Sequence, residues 1–237
     1  MASPFFNEQK ILDARGGAYS DRMTVSGAVN KSFILLAILM VTGIYSYIAF
    51  NPLLMMIGAI GGLIVAIIAA FRRQNANILA PMYAAFEGLF VGGVSAMYAM
   101  RYEGIVFQAV TLTIGVLFAM LFFYKSGIIK VTAGLRSGIM MATAGIAIFY
   151  LITFVLSFFN IHVPYIHESG MIGIGFSVFV VGLAAMNLLL DFDNFEKGEQ
   201  MGAEKNMEWY AAMGLMITLV WLYVEILRLL SKLSSRD

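Results

Sequence analysis

Cysteine is absent from this 237-residue chain, and charged residues are scarce, at 12% of the total. The first absence excludes disulfides, thiolate catalysis and metal sites with cysteine ligands. The charged fraction is about half that of an ordinary soluble domain, while apolar residues make up 61% of the chain. A net charge of +1, without a basic run interleaved with aromatics, removes the electrostatic case for nucleic-acid binding. This composition favours the lipid bilayer as the main partner of the chain.

The chain also lacks the short motifs of common enzymes. It contains no Walker loop, no Gly-x-Ser-x-Gly and no His-Glu-x-x-His. Its two histidines, His162 and His167, flank Pro164 in a predicted outer loop without a set of acids that would converge with them on a metal. We therefore expect no enzymatic activity, no cofactor and no metal site at the histidines.

Long apolar runs dominate what is present. A membrane helix needs roughly 20 apolar residues to cross about 30 Å of hydrocarbon, and strands are disfavoured because an open sheet cannot satisfy its backbone in lipid. The sequence predicts an all-α protein, with a cytoplasmic tail at 1–31 and a single seven-helix membrane domain at 32–237. Because the links are short, sequential helices are expected to be antiparallel neighbours. The predicted spans are 32–50, 52–71, 78–100, 104–124, 137–159, 170–190 and 209–230.

The positions of Lys and Arg indicate how these helices are oriented. Polar segments on the side of the N-terminus carry eleven of them, and those on the opposite side carry four. This bias predicts a cytoplasmic N-terminus. The last run, 209–230, would then leave three basic residues outside, so it either crosses fully or re-enters. Its length favours full crossing.

Two pairs of glycines are spaced for helix packing. Gly58 and Gly62 lie four residues apart, as do Gly88 and Gly92. In lipid this spacing usually allows two helix backbones to approach closely. We therefore predict that these glycines are packing positions, not a phosphate-binding loop.

Ionisable side chains within the hydrocarbon are candidates for function, because charge is costly there. Glu87 lies in the middle of the third span, where it either has a function or makes a structural hydrogen bond. Glu225 and Arg228 lie three residues apart near the outer end of the last span. That spacing predicts an ion pair within one helix, and the alternative is a pair that gates a water-filled cavity.

A strongly acidic segment follows the sixth span. Residues 191–208 hold six acids and two lysines, and we predict that they form an acidic inner loop that includes Glu196 and Glu208. Asp191 and Asp193 stand at its start. The loop is either a funnel that concentrates Ca²⁺ or protons or simply a solvated surface. Asp191 is the candidate for a Ca²⁺ contact. An EF-hand pattern begins at this residue but does not continue, because Phe195 stands where the loop needs an oxygen ligand.

Six strings, which together reach across nearly the whole chain, carry a family resemblance. They are Arg22-Met23-Thr24-Val25, Glu87-Gly88-Leu89-Phe90, Tyr124-Lys125-Ser126-Gly127, the run 176–190 followed by Asp191-Phe192-Asp193, Met207-Glu208-Trp209-Tyr210-Ala211-Ala212, and the run 221–230. The strings are long and specific. Through them the chain resembles the Bax inhibitor-1-like membrane proteins of the bacterial YccA type.

This resemblance implies six helices around a central C-terminal seventh, and a location in the bacterial inner membrane. For the better-studied branch of the family it also implies a pH-sensitive Ca²⁺ leak, in which two aspartates on the sixth and seventh helices share a proton and are latched by an arginine at the end of the second helix. Asp191 matches the first aspartate, and Arg72 or Arg73 matches the arginine. Thr218 stands at the position of the second aspartate, so the chain departs from the family pattern there.

Glu87 is a candidate replacement for the missing carboxylate. It lies about as deep in the third span as Thr218 does in the seventh, at about 1.5 Å per residue. If the carboxyls of Glu87 and Asp191 approach each other, they form a coupled, proton-sensitive pair.

Two functions from different classes are therefore expected. The first is a channel-like leak for Ca²⁺ or another cation, with Asp191, Asp193 and Glu87 as sensors and the pair of Glu225 and Arg228 as an outer lock. The second is a non-conducting adaptor that modulates a membrane-anchored quality-control protease, which the resemblance also implies for some family members. In the second function the polar tail and the acidic segment 191–208 are docking surfaces.

Overall fold

The computed structural model of the protein describes residues 22–159 and 170–235. Within these ranges the chain forms seven helices, each long and apolar enough to cross a membrane, and no strand. The predicted all-α, seven-helix fold is therefore confirmed. The first 21 residues of the predicted tail lie outside the described residues, as do His162 and His167. The helices are α1 (Val25–Ile48), α2 (Pro52–Phe71), α3 (Ala76–Ala99), α4 (Ile105–Lys125), α5 (Ala133–Ser157), α6 (Met171–Gln200) and α7 (Met207–Ser234), and a 3₁₀ turn (Arg73–Asn75) joins α2 to α3.

The start of α1 lies well before the predicted span at 32–50. Thr24 is its N-cap, and the Thr24 hydroxyl accepts a hydrogen bond from the Gly27 N–H at 3.0 Å. A threonine in this position satisfies one of the N–H groups that have no partner in the first helical turn. Lys31 is therefore a helical residue and not the end of a polar tail.

The end of α6 differs most from the prediction. This helix continues to Gln200, ten residues beyond the predicted span. The acidic segment stays helical because Phe192 and Phe195 repeat at helical spacing and are buried, while Asn194 between them is exposed. The prediction of an acidic inner loop over 191–208 was therefore wrong, since only residues 201–206 link α6 to α7.

The C-terminal helix is the centre of the bundle. It packs against α1, α3, α4 and α6, whereas α2 packs on α3 and α5 packs on α6. Leu222 and Leu227 of α7 are fully buried. The central position of the last helix is thus confirmed, with four of the other helices as its main neighbours rather than all six.

The last helix runs through the full length of the bundle. Near its beginning, Glu208 accepts a hydrogen bond from the backbone N–H of Thr24, at the start of α1. Near its end, the Lys232 ammonium donates to the carbonyl of Gly173, at the start of α6. The last helix thus runs from one end of the bundle to the other without turning back, as the predicted full crossing requires. We call the end of the bundle that holds Thr24 and the α6–α7 link the N-terminal face, and the opposite end the far face.

The predicted glycine contacts are present among α1, α2 and α3. A Cβ on Gly58 would lie 2.6 Å from the Phe86 carbonyl oxygen. A Cβ on Gly92 would overlap the carbonyl of Gly43, so α1 and α3 touch through their backbones. The interpretation of these glycines as packing positions is confirmed, and three helices form a closely packed unit on one side of the bundle.

Replacing Gly92 by Ala therefore destabilises the protein. The added methyl group forces α1 away from α3, and such overpacking costs about 1–3 kcal/mol. Thermal unfolding in detergent measures the change. Gly115→Ala on α4 is the matched control, because a Cβ there meets nothing within 4 Å, and alanine is the better helix residue. Equal melting temperatures for the two variants would contradict the close contact.

Candidate functional site

Asp191 lies in α6, against the middle of α7. Its Oδ1 faces Gly214, where an added Cβ would be 3.6 Å away. The hydroxyl of Thr218 also lies beside this carboxyl and interacts with it. The other oxygen, Oδ2, is buried and has no hydrogen-bond partner among the described residues. A carboxylate oxygen buried without a partner is costly, so a proton or a cation would stabilise this position.

Asp193, close to Asp191 on the way to the N-terminal face, is held by an arginine. The Arg136 guanidinium, in the first turn of α5, donates to the Asp193 carboxylate and, at 3.0 Å, to the Asn194 amide oxygen. Lys197 reaches the same Asp193 oxygen at 2.7 Å. We call these four residues the Arg136 cluster. The charge of Arg136 also acts on Asp191, so this cation serves both aspartates of α6.

Sequence reasoning missed the role of Arg136. It counted this residue only as a loop charge, because the predicted fifth span began at residue 137, whereas α5 begins at Ala133. The signal was Thr132, a good N-cap residue whose side chain accepts from the Leu135 N–H. A helix that starts there places Arg136 in its first turn.

The arginines that the resemblance singled out lie elsewhere on the N-terminal face. Arg73 stacks over the Tyr210 ring, with its guanidinium carbon 5.3 Å from the ring centroid. Arg72 is exposed at the C-cap of α2. The side chain of Asn206 binds the carbonyls of Arg73 and Gln74, so the α2–α3 turn is fastened to the α6–α7 link. The latch role of Arg72 or Arg73 stays a prediction.

Glu87 lies between α3 and α2. A Cβ on Gly62 would be 2.8 Å from its Oε2, and the Tyr83 hydroxyl, one turn earlier on α3, is its hydrogen-bond partner. The structure thus gives Glu87 and Asp191 different neighbours, since Asp191 faces α7. The proton-sensitive pair of these two carboxyls stays a prediction.

The predicted pair of Glu225 and Arg228 is present towards the far face. Glu225 is 2% exposed and accepts from the Arg228 guanidinium at 3.0 Å. Tyr150 of α5 completes the site: its hydroxyl donates to Glu225 at 2.8 Å and accepts from Arg228 at 2.7 Å. We call these three residues the Glu225 cluster. The sequence predicted the pair but not its tyrosine, because Tyr150 is brought close only by the packing of α5 against α6.

The remaining acids of the predicted loop are also held by other elements. Glu196 accepts from the Tyr124 hydroxyl of α4 at 2.8 Å. Glu208 is fully buried and accepts from the N–H and hydroxyl of Thr24, and it pairs with Lys205 at 2.9 Å. The backbone of Met23 donates to Ala203 in the link. Residues 22–24 and Glu208 thus form a clasp that ties the start of α1 to the start of α7.

The clasp predicts a moderate loss of stability in Glu208→Gln. The amide keeps the volume of the side chain but loses the charge that binds Lys205 and Thr24. Hydrogen bonds to charged groups are worth more than neutral ones, and we expect a loss of about 1–2 kcal/mol in thermal unfolding. Glu103→Gln, an exposed acid near the far face, should leave the melting temperature unchanged. A Glu208→Gln variant as stable as this control would contradict the clasp.

No three His, Asp or Glu side chains converge on a metal position in the part of the chain that the structure describes. The Ca²⁺ contact at Asp191 therefore stays a prediction. Four other acids of α6 and α7 are paired with Arg136, Tyr124, Lys205 and Arg228, namely Asp193, Glu196, Glu208 and Glu225.

A seven-helix bundle with apolar outer surfaces, buried ion pairs at both ends and a central last helix defines a polytopic integral membrane protein. The comparisons with known proteins identify its family. A family model described as Bax inhibitor 1 like matches residues 3–235, and the chain belongs to this family. None of the curated proteins matches the chain. The resemblance inferred from the six sequence strings is confirmed.

Proposed function

We propose that the protein is a leak channel for Ca²⁺ or another cation, and that pH controls the leak through Asp191. The observation that carries the proposal is the buried Oδ2 of Asp191, which has no partner among the described residues. Ionisable groups at membrane depth are costly, and those that proteins retain usually mark ion or proton paths. Family membership supports a membrane function of this class.

The groups around Asp191 suggest how a change of its charge would act on the bundle. Thr218 faces it from α7, and Arg136 acts on it from α5. Asp193, which lies on α6 like Asp191, competes with it for Arg136. The phenol of Tyr124 on α4 lies near Asp193. The Arg136 Nε is itself buried without a partner among the described residues. The guanidinium therefore has donors left for a second carboxylate, and a change of charge at Asp191 would alter how firmly Arg136 holds α5 to α6.

Purified protein in liposomes tests this proposal. We expect Ca²⁺ flux that changes between about pH 5 and pH 8, and loss of that pH dependence in Asp191→Asn, which has no carboxylate to titrate. Glu103→Gln is the matched control, because this exposed acid lies at the other end of the bundle, and it should keep the pH dependence of the unaltered protein. Unchanged pH dependence in Asp191→Asn would remove Asp191 as the sensor.

Flux no greater than that of empty vesicles, at every pH in this range, would instead favour the non-conducting adaptor. The acidic segment 191–208, which the adaptor hypothesis uses as a docking surface, gives that function little support. Asp193, Glu196 and Glu208 are all engaged within the bundle, so they are poorly placed to dock a partner.

A further inference from the structure

Polar side chains recur where α5, α6 and α7 meet, with apolar residues such as Ile139, Ile146 and Leu183 between them. Near the N-terminal face lies the Arg136 cluster, and Asp191 with Thr218 comes next. The amide of Asn187 then donates to Thr143 of α5 at 2.8 Å. Towards the far face the Glu225 cluster follows, and the Lys232 ammonium donates to Ser177 of α6 at 2.9 Å. We call this series the polar seam.

The polar seam is nearly as long as the hydrocarbon core of a membrane is thick. Asp193 and Ser177, near its two ends, are sixteen residues apart on α6. At about 1.5 Å per residue this distance is about 24 Å, compared with about 30 Å for the hydrocarbon core. Hydroxyl, amide and carboxylate oxygens recur along it, and these are the ligands that hard cations accept in place of water.

The packing of α5 differs from that of α1, α2 and α3. Glycines in those three helices lie against neighbouring backbone or side chains at distances that leave little or no space for a Cβ. By contrast, only 11% of the apolar span of α5 is buried inside the bundle, and this helix packs mainly against α6. Side-chain hydrogen bonds through Arg136, Thr143 and Tyr150 fasten α5 to its neighbours. This helix can therefore separate from α6 and α7 when those bonds open, at less cost than the closely packed helices.

We propose that the polar seam between α5, α6 and α7 is the route of the ion, and that α5 is the wall that moves to open it. The inference rests on the proposed leak and gives its path. The Arg136 cluster and the Glu225 cluster close the two ends of the seam. When both release α5, water enters and the oxygens of Asp191, Thr218 and Asn187 face the passing cation.

Cysteine accessibility tests the route, since the chain has no native cysteine. Ser177→Cys in the seam is matched by Ser46→Cys in α1, because both serines are 0% exposed and lie towards the far face. Thr218→Cys is matched by Thr113→Cys in α4, because these threonines are 8% and 9% exposed and lie near the middle of their helices. A small, charged, water-soluble methanethiosulfonate is applied on both sides of the liposomes, at each pH of the flux measurement.

We expect the seam variants S177C and T218C to react at least tenfold faster than their matched controls S46C and T113C. Equal rates within each matched pair, in proteins that still conduct Ca²⁺, would overturn the route and leave the proposed leak standing. Faster reaction of the seam variants without flux in any variant would support a water-filled seam and overturn the leak. Flux through the unaltered protein shows which of the two has failed.

A second measurement does not depend on reaction rates. Thr143 and Asn187 touch across the seam, so a cross-link between cysteines at these positions should hold α5 against α6. We expect flux in the double variant to fall at least tenfold on cross-linking and to recover on reduction. Undiminished flux through the cross-linked protein would overturn the movement of α5.

Discussion

Replacing Arg136 by Gln is expected to raise the Ca²⁺ leak of the reconstituted protein about tenfold or more. The guanidinium joins α5 to Asp193 and Asn194 of α6, and glutamine keeps much of the length of the side chain but not its charge. A hydrogen bond to a charged group contributes about 1.5–3 kcal/mol. Loss of about 1.4 kcal/mol from the closed state raises the open population tenfold while that population is small. Ca²⁺ entry into dye-loaded liposomes measures the leak.

Arg72→Gln and Arg73→Gln are the matched controls for this result. Both arginines lie on the N-terminal face, but Arg73 stacks on Tyr210 and Arg72 is exposed. We expect the leak of these two variants to stay within about twofold of the unaltered protein, a difference of less than about 0.5 kcal/mol. If one of them raises the leak and Arg136→Gln does not, the latch is the arginine that the family resemblance implied.

Glu225→Ala is expected to lower the free energy of unfolding by about 3 kcal/mol. The substitution leaves Arg228 in the bundle without its carboxylate, and removing one partner of a buried ion pair costs about 3–5 kcal/mol. Because the Arg228 side chain is 31% exposed, we expect the lower end of this range. Tyr150→Phe removes a neutral hydroxyl from the same cluster and should cost about 1 kcal/mol. Thermal unfolding in detergent compares the two.

The double variant Glu225→Leu/Arg228→Leu separates the cost of an unpaired charge from that of a lost contact. Replacing both members of a buried pair by apolar residues is often nearly neutral, so the double variant should be more stable than Glu225→Ala. A double variant that is less stable than Glu225→Ala would show that the pair itself, and not the isolated arginine, accounts for the loss.

The number of helices could be read from the sequence because apolar runs and short links leave few other choices in lipid. The end of α6 could not, because hydropathy falls at Asp191 although the helix continues. Phe192 and Phe195 carried the information, since their spacing is helical and both are buried. The segment after Asp191 was predicted to be a loop because it is polar, although the helical periodicity of its buried residues indicates a helix.

The candidate site was predictable only within single helices. The pair of Glu225 and Arg228 lies three residues apart, so the spacing alone places the side chains together. Arg136 and Asp193, by contrast, meet across two helices and 57 residues. The short link predicted that α5 and α6 are neighbours, but nothing in the local sequence states which of their side chains meet. Thr24 and Glu208 are a still more distant pair. Both were predicted to lie in polar segments, whereas in the structure they contact each other and Glu208 is fully buried.

The clasp between Thr24 and Glu208 also sets an order for biosynthesis. Its two members are 184 residues apart, and synthesis from the N-terminus completes α1 to α6 before Glu208 exists. Until α7 enters the membrane, α1, α3, α4 and α6 lack the helix that they all contact, because that helix is made after them. Contacts of such long range form late. A nascent chain that stalls before Met207 therefore holds α1, α3, α4 and α6 without the helix that joins them.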